Sequence, residues 1–274
     1  MYSPGHAYVN RVGRAWKGKI MNKLLNRVPE VTLFFWLIKI MATTVGETAA
    51  DFLSATLNLG LGITSYIMGG LLVAALLIQF KLKRYVPSSY WLVVVLVSIV
   101  GTLITDRLVD EAGVSLVTTS IIFGAALVAT FALWYASEKT LSIHSIFTAK
   151  RELFYWAAIL FTFALGTAAG DLFAEGMHLG YAPSAFIFGG VIAAITFAHY
   201  VFKLNAVLAF WLAYILTRPL GASMGDLLSQ PVTNGGVGLG TVGTSAIFMV
   251  AIMSLVSYIS LQRKRQLCAL PVTE

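Results

Sequence analysis

The sequence predicts an all-α polytopic membrane protein with eight transmembrane helices in four parallel two-helix repeats and a pseudo-four-fold arrangement. Three observations carry that expectation. The 274 residues are 58% hydrophobic and only 11% charged, with a mean hydropathy of +0.82, which is too apolar for an ordinary soluble domain. Apolar runs at roughly 31–53, 62–81, 90–109, 115–137, 153–175, 182–202, 206–229 and 241–262 each approach the ~20 residues that cross a bilayer core. A Trp, a Gly ten residues on and an Asp five further recur as Trp36/Gly46/Asp51, Trp91/Gly101/Asp106, Trp156/Gly166/Asp171 and Trp211/Gly221/Asp226.

The runs pair into units 30–90, 91–151, 152–207 and 208–263, flanked by a basic tail 1–29 and a C-terminal tail 264–274. The first run of each unit holds the Trp, Gly and Asp. The second carries a hydroxyl near its start, at Thr64, Thr119, Ser184 and Thr244. Two runs per unit return the chain to the same side, so the repeats run parallel about an axis along the membrane normal, unlike inverted-repeat transporters. In the fourth unit Pro231–Gly240 lengthens the connection between the two runs.

Charge sets the expected orientation. Lys and Arg concentrate in the N-terminal tail, in the connections between units (Lys81, Lys83, Arg84, Lys139, Lys150, Arg151, Lys203) and in Arg263–Arg265, while the turns within units carry Asp110, Glu111 and Glu175. Both termini are therefore expected in the cytoplasm. The net charge of +7 follows from this topology, and no nucleic-acid partner is expected. The tail, with Arg11, Arg14, Lys17, Lys19, Lys23 and Arg27 around Trp16, Ile20 and Leu24, reads as an amphipathic interfacial segment.

The four-fold Trp-plus-carboxylate unit, opened by Val28-Pro-Glu-Val-Thr-Leu33 and continued by Gly46-Glu-Thr-Ala-Ala-Asp51, resembles a family of bacterial membrane-anchored proteins built from tandem repeats of unknown function. The resemblance covers residues 21 to about 263. It implies an eight-span protein of the bacterial inner membrane and names no activity.

Function is expected where the repeats place acid in apolar helix. Fifteen residues of helix beyond each Trp is roughly 22 Å, which puts Asp51, Asp106, Asp171 and Asp226 inside the outer half of the bilayer. Carboxylates there are expensive and mark ion or proton paths; otherwise they accept hydrogen bonds from the hydroxyls Thr64, Thr119, Ser184 and Thr244 and join helices. Glu47 occurs only in the first repeat, one turn before Asp51, and Arg218 occurs only in the fourth, at the position of Thr43, Ser98 and Phe163. A buried Arg implies a buried acid, with Glu47 or Asp226 the expected partner. Asp171, Glu175 and His178 share one face if the helix continues, which with Glu47 and Asp51 makes a possible metal-ligand set.

Further expectations attach to single residues. Lys39 snorkels to the cytoplasmic surface, and Arg107 pairs with Glu111. The Trp residues anchor at the interface or pack between helices. Gly46, Gly101, Gly166 and Gly221, with Gly69, Gly70, Gly124, Gly189 and Gly190, are expected to let helices approach closely.

There is no metalloprotease helix motif, no phosphate-binding glycine loop and no glycine-framed nucleophile, so an enzyme is not expected, nor any permanently bound cofactor. The leading expectation is a transporter of a small cation, such as Mn²⁺ or Mg²⁺, exchanged against protons at hard oxygen donors. A cation or proton channel with an acidic ring and a non-transporting membrane scaffold are the alternatives.

Overall fold

The computed structural model describes residues 26–268. Eight long helices account for nearly all of them: α1 (Leu33–Asp51), α2 (Gly60–Lys81), α3 (Pro87–Asp106), α4 (Leu116–Glu138), α5 (Ala149–Asp171), α6 (Tyr181–Val201), α7 (Ala206–Ser229) and α8 (Gly240–Cys268). All eight are long and apolar enough to cross a membrane. Polar residues start them: Thr32, Ser115, Thr148 and Asn205 each accept a hydrogen bond from the first-turn backbone of α1, α4, α5 and α7. Pro87 opens α3 where a missing N–H costs nothing. Residues 1–25 and 269–274, which include most of the basic tail and the end of the C-terminal tail, lie outside the described residues.

The two helices of a repeat have different roles. In α1, α3, α5 and α7, 56–67% of the apolar window is buried, against 11–22% in α2, α4, α6 and α8. The first four form a closed inner ring, each touching two neighbours, α1 on α3, α3 on α5, α5 on α7 and α7 on α1. The other four lie outside and turn residues such as Tyr66, Ile121, Phe186 and Ile247 outward, which suits lipid. Each outer helix packs on the inner helix of the next repeat: α2 on α3, α4 on α5, α6 on α7, and α8 on α1. That last contact closes the circle.

Two contacts recur around the ring and account for two of the three motif residues. A side chain added at Gly46, Gly101, Gly166 or Gly221 would collide with Ser98, Phe163, Arg218 or Thr43, respectively, on the next inner helix. Each glycine is thus the slot for one side chain of its neighbour. Each Trp, in turn, packs on an aromatic ring of the preceding repeat: Trp91 on Phe35 at 5.7 Å, Trp156 on Tyr90 at 5.4 Å, Trp211 on Tyr155 at 6.2 Å and Trp36 on Phe210 at 5.7 Å between centroids. Trp91, Trp156 and Trp211 are buried, so packing between helices, not interfacial anchoring, is their role.

The outer-helix glycines correct an expectation. Gly69, Gly70 and Gly190 have open space where a side chain would go, and Gly124 and Gly189 meet only a leucine methyl at 3.9 Å. They do not set helix approach, because the outer helices join the ring on one face only.

Candidate functional site

Every fourth residue of an inner helix returns to nearly the same face, so the repeats stack their axial side chains in layers of four. Phe35, Tyr90, Tyr155 and Phe210 form the layer nearest the termini, followed by Lys39, Val94, Ile159 and Tyr214. Thr43, Ser98, Phe163 and Arg218 come next, then Glu47, Thr102, Thr167 and Ala222. All sixteen are buried. The four Asp residues complete the stack at the opposite face.

The third and fourth layers interlock through Arg218, which is fully buried. Its Nη2 donates to Glu47 Oε2 at 2.6 Å, to Thr167 Oγ1 at 2.7 Å and to Thr102 Oγ1 at close range, while Nη1 reaches the Thr43 carbonyl at 3.5 Å. One guanidinium on α7 therefore binds side chains of α1, α3 and α5. Gly166 leaves the room it occupies. Glu47, not Asp226, is its ion-pair partner. Both hydrogen bonds to Glu47 fall on Oε2.

One layer nearer the termini, Lys39 is also fully buried. Its Nζ lies 4.0 Å from the centroid of Phe163 and 4.2 Å from that of Tyr214, and no hydrogen-bond acceptor reaches it. The expected snorkelling does not occur, because Lys39 faces the ring axis and the aromatic layer of Phe35, Tyr90, Tyr155 and Phe210 lies between it and the terminal face. The hydroxyls of Tyr90 and Tyr155 meet at 2.5 Å in that layer.

Beyond Glu47 a cavity of about 380 Å³ opens toward the face opposite the termini, lined by Glu47, Asp51, Asp106, Asp171 and Asp226, with Asp110 and Glu175 at its rim. The helices widen around it. Directly after Asp51, Asp106 and Asp171 the chain makes one π-helical turn each, Phe52–Thr56, Arg107–Glu111 and Leu172–Gly176, closed by homologous bonds from Leu57, Ala112 and Met177 to the carbonyl five residues back. Such turns frequently mark functional sites. They tilt residues beyond the Asp into the wall, among them Ser54, Asp110 and Glu175. In the fourth repeat α7 continues as regular α-helix past Asp226.

Among the described residues, none of the four Asp side chains has a hydrogen bond or ion pair to protein. The hydroxyls expected beside them are buried but do not bond to them: those of Thr64, Thr119 and Thr244 have no partner, and Ser184 donates to the Gly180 carbonyl at 2.7 Å. Carboxyl oxygens of Glu47, Asp171 and Asp226 come within 4.8 Å of one another. His178 does not join them. The π-turn ends at Gly176, His178 takes a left-handed φ of 54° in the connection, and its side chain is exposed. Glu175 reaches the rim, where Tyr181 donates to it at 3.2 Å. Arg107 pairs with Glu111 at 2.9 Å, as expected.

Four consecutive segments, 34–85, 89–140, 154–205 and 209–265, match the family described as Repeat of Unknown Function (DUF347). The chain belongs to the DUF347 repeat family. Each matched segment contains one inner helix and the outer helix that follows it, so a DUF347 repeat buries its apolar face only with the help of its neighbours. No curated protein and no solved structure matches the chain.

At the terminal face a second cavity of about 540 Å³ reaches Phe35 and Trp91, with Tyr85 and Arg263 in its wall. From Phe35 to Glu47 is about 18 Å of helix at ~1.5 Å per residue. The two cavities open on opposite faces of the molecule. The sequence offered no sign of this second cavity, and Lys39 was legible there only as a charge in an apolar run.

Proposed function

We propose that the protein is a transporter that binds a small cation in the acidic cavity and exchanges it against protons. A single observation carries this reading. Trp and Gly of the repeated motif are consumed in ring packing, whereas the equally regular Asp makes no contact that would hold the fold together. Intramembrane carboxylates without protein partners are retained for ions or protons.

The carrier reading is favoured over a channel by what lies beneath the cavity. Arg218, Lys39 and an aromatic layer occupy the axis in succession, and a fixed guanidinium backed by an aromatic layer opposes free passage of a cation. The Lys/Arg distribution supports both termini in the cytoplasm of a bacterial inner membrane, with the acidic cavity facing outward.

The test is flux into proteoliposomes carrying a pH-sensitive dye, with Mn²⁺ and Mg²⁺ as candidate substrates. Saturable cation movement with counter-movement of protons is expected, lost in a folded Asp51→Asn protein. Ungated conductance would replace the carrier with a channel. Absence of flux, or wild-type flux in Asn variants of all four Asp residues, would leave the scaffold.

A further inference from the structure

We infer that Glu47, Asp171 and Asp226 form a divalent-cation site at the floor of the cavity, and that Arg218 is its built-in competitor for Glu47. The inference rests on the proposed function only in treating the ion as a substrate; the site itself follows from geometry.

Two of the departures from four-fold symmetry meet here. Position 47 is Glu where the other repeats have Thr102, Thr167 and Ala222. The fourth repeat lacks the π-turn after its Asp, and Asp226 is the most enclosed of the four, at 8% exposure. A carboxylate so enclosed, without donor or cation among the described residues, is strongly disfavoured unless something neutralises it. Asp226 lines the same cavity as Glu47 and Asp171, so a cation that neutralises it in place of a proton sits between them.

The distances suit an ion. Three oxygens no more than 4.8 Å apart lie within about 2.8 Å of a common centre, a few tenths of an ångström outside the ~2.3–2.6 Å range for Ca²⁺ and somewhat further from that for Mg²⁺. Rotation of the carboxylates closes the gap. When all three carboxylates are ionised, they and one guanidinium leave two negative charges, which a divalent ion cancels and a monovalent ion does not. All donors are hard oxygens, which select Mg²⁺, Ca²⁺ or Mn²⁺ over softer metals. A cavity of about 380 Å³ holds on the order of ten waters at ~30 Å³ each, so a reluctantly dehydrating ion keeps part of its shell.

Arg218 makes the site conditional. Its hold on Glu47 Oε2 ties α7 to α1, while Thr102, Thr167 and the Thr43 carbonyl keep the guanidinium in place without Glu47. An ion drawing Glu47 toward Asp171 and Asp226 weakens that tie, so occupancy of the cavity loosens the plug beneath it.

The experiment is Mn²⁺ binding to the purified full chain in detergent, read from loss of the free-ion electron paramagnetic resonance signal, with no gradient imposed. One Mn²⁺ is expected per chain, displaced by Mg²⁺ and not by Na⁺ at equal ionic strength. Asp226→Asn and Glu47→Gln should each weaken binding on the order of ten-fold or more. Glu111→Gln, on the same face outside the cavity wall, should bind as wild type. If Glu47→Gln does not fold, Glu47→Asp and Asp171→Asn carry the test. Absence of Mn²⁺ binding, wild-type affinity in Asp226→Asn, or Na⁺ competing as well as Mg²⁺ would overturn the site. Binding without flux in liposomes would retain the site and remove the transport reading; flux indifferent to Glu47 and Asp226 would do the reverse.

Discussion

Replacing Arg218 and Glu47 by glutamine, singly and together, measures the ion pair that joins the first and last repeats across the ring. With charge centres about 4 Å apart, such a pair attracts by ~4 kcal/mol at an effective dielectric of ~20. Removing one partner strands the other, at a cost of about 3–5 kcal/mol for a buried pair. Arg218 is wholly enclosed, and Glu47 is 6% exposed at the cavity floor, so neither stranded charge gains much water. Each single change is therefore expected to destabilise by about 3–5 kcal/mol, and the double change by no more than one of them. That leaves a coupling of at least ~3 kcal/mol, well above the ~0.5 kcal/mol within which independent sites add. Equilibrium unfolding of the lipid-reconstituted protein at fixed pH and salt provides the four values. Single losses that simply add would mean that Arg218 and Glu47 do not act as a pair, and the account of the plug would fail.

Two further outcomes are expected. Gly101→Ala drives a methyl into Phe163 and the Ala164 backbone and should destabilise by about 1–3 kcal/mol, whereas Gly124→Ala, with nothing nearer than 3.9 Å, should be neutral or stabilising by up to ~1 kcal/mol; equal thermal unfolding of the two would refute the slot arrangement of the inner ring. Lys39→Met removes a buried amine that has no acceptor, so the variant should unfold no more readily than wild type yet let cations leak past the plug, loosening the coupling of cation to proton flux. Unchanged coupling would reduce Lys39 to a packing residue.

The spans, the parallel repeats and the recurrent acid were legible in the chain because each is a local property. An apolar run long enough for a bilayer is helical wherever it lies, and a residue type recurring at a fixed offset recurs in the fold. Glu47 and Arg218 stood out for the same reason, as charges breaking a pattern of small and hydroxylated residues. Which helix of a pair lines the axis was not legible, since lipid and protein interior favour the same apolar side chains and hydropathy cannot separate inner from outer. Only closure of the ring decided it. Closure also turned Lys39 inward onto Phe163 and Tyr214, residues 124 and 175 positions away, and it set Trp and Gly against the neighbouring repeats. It brought Glu47 to Arg218 across 171 residues and to Asp171 and Asp226. The sequence by itself determined that each repeat carries its acid at the end of an apolar helix; which acids meet, and which cation stands beneath them, was decided by tertiary structure, because side chains on separate helices acquire a common centre only when the helices pack.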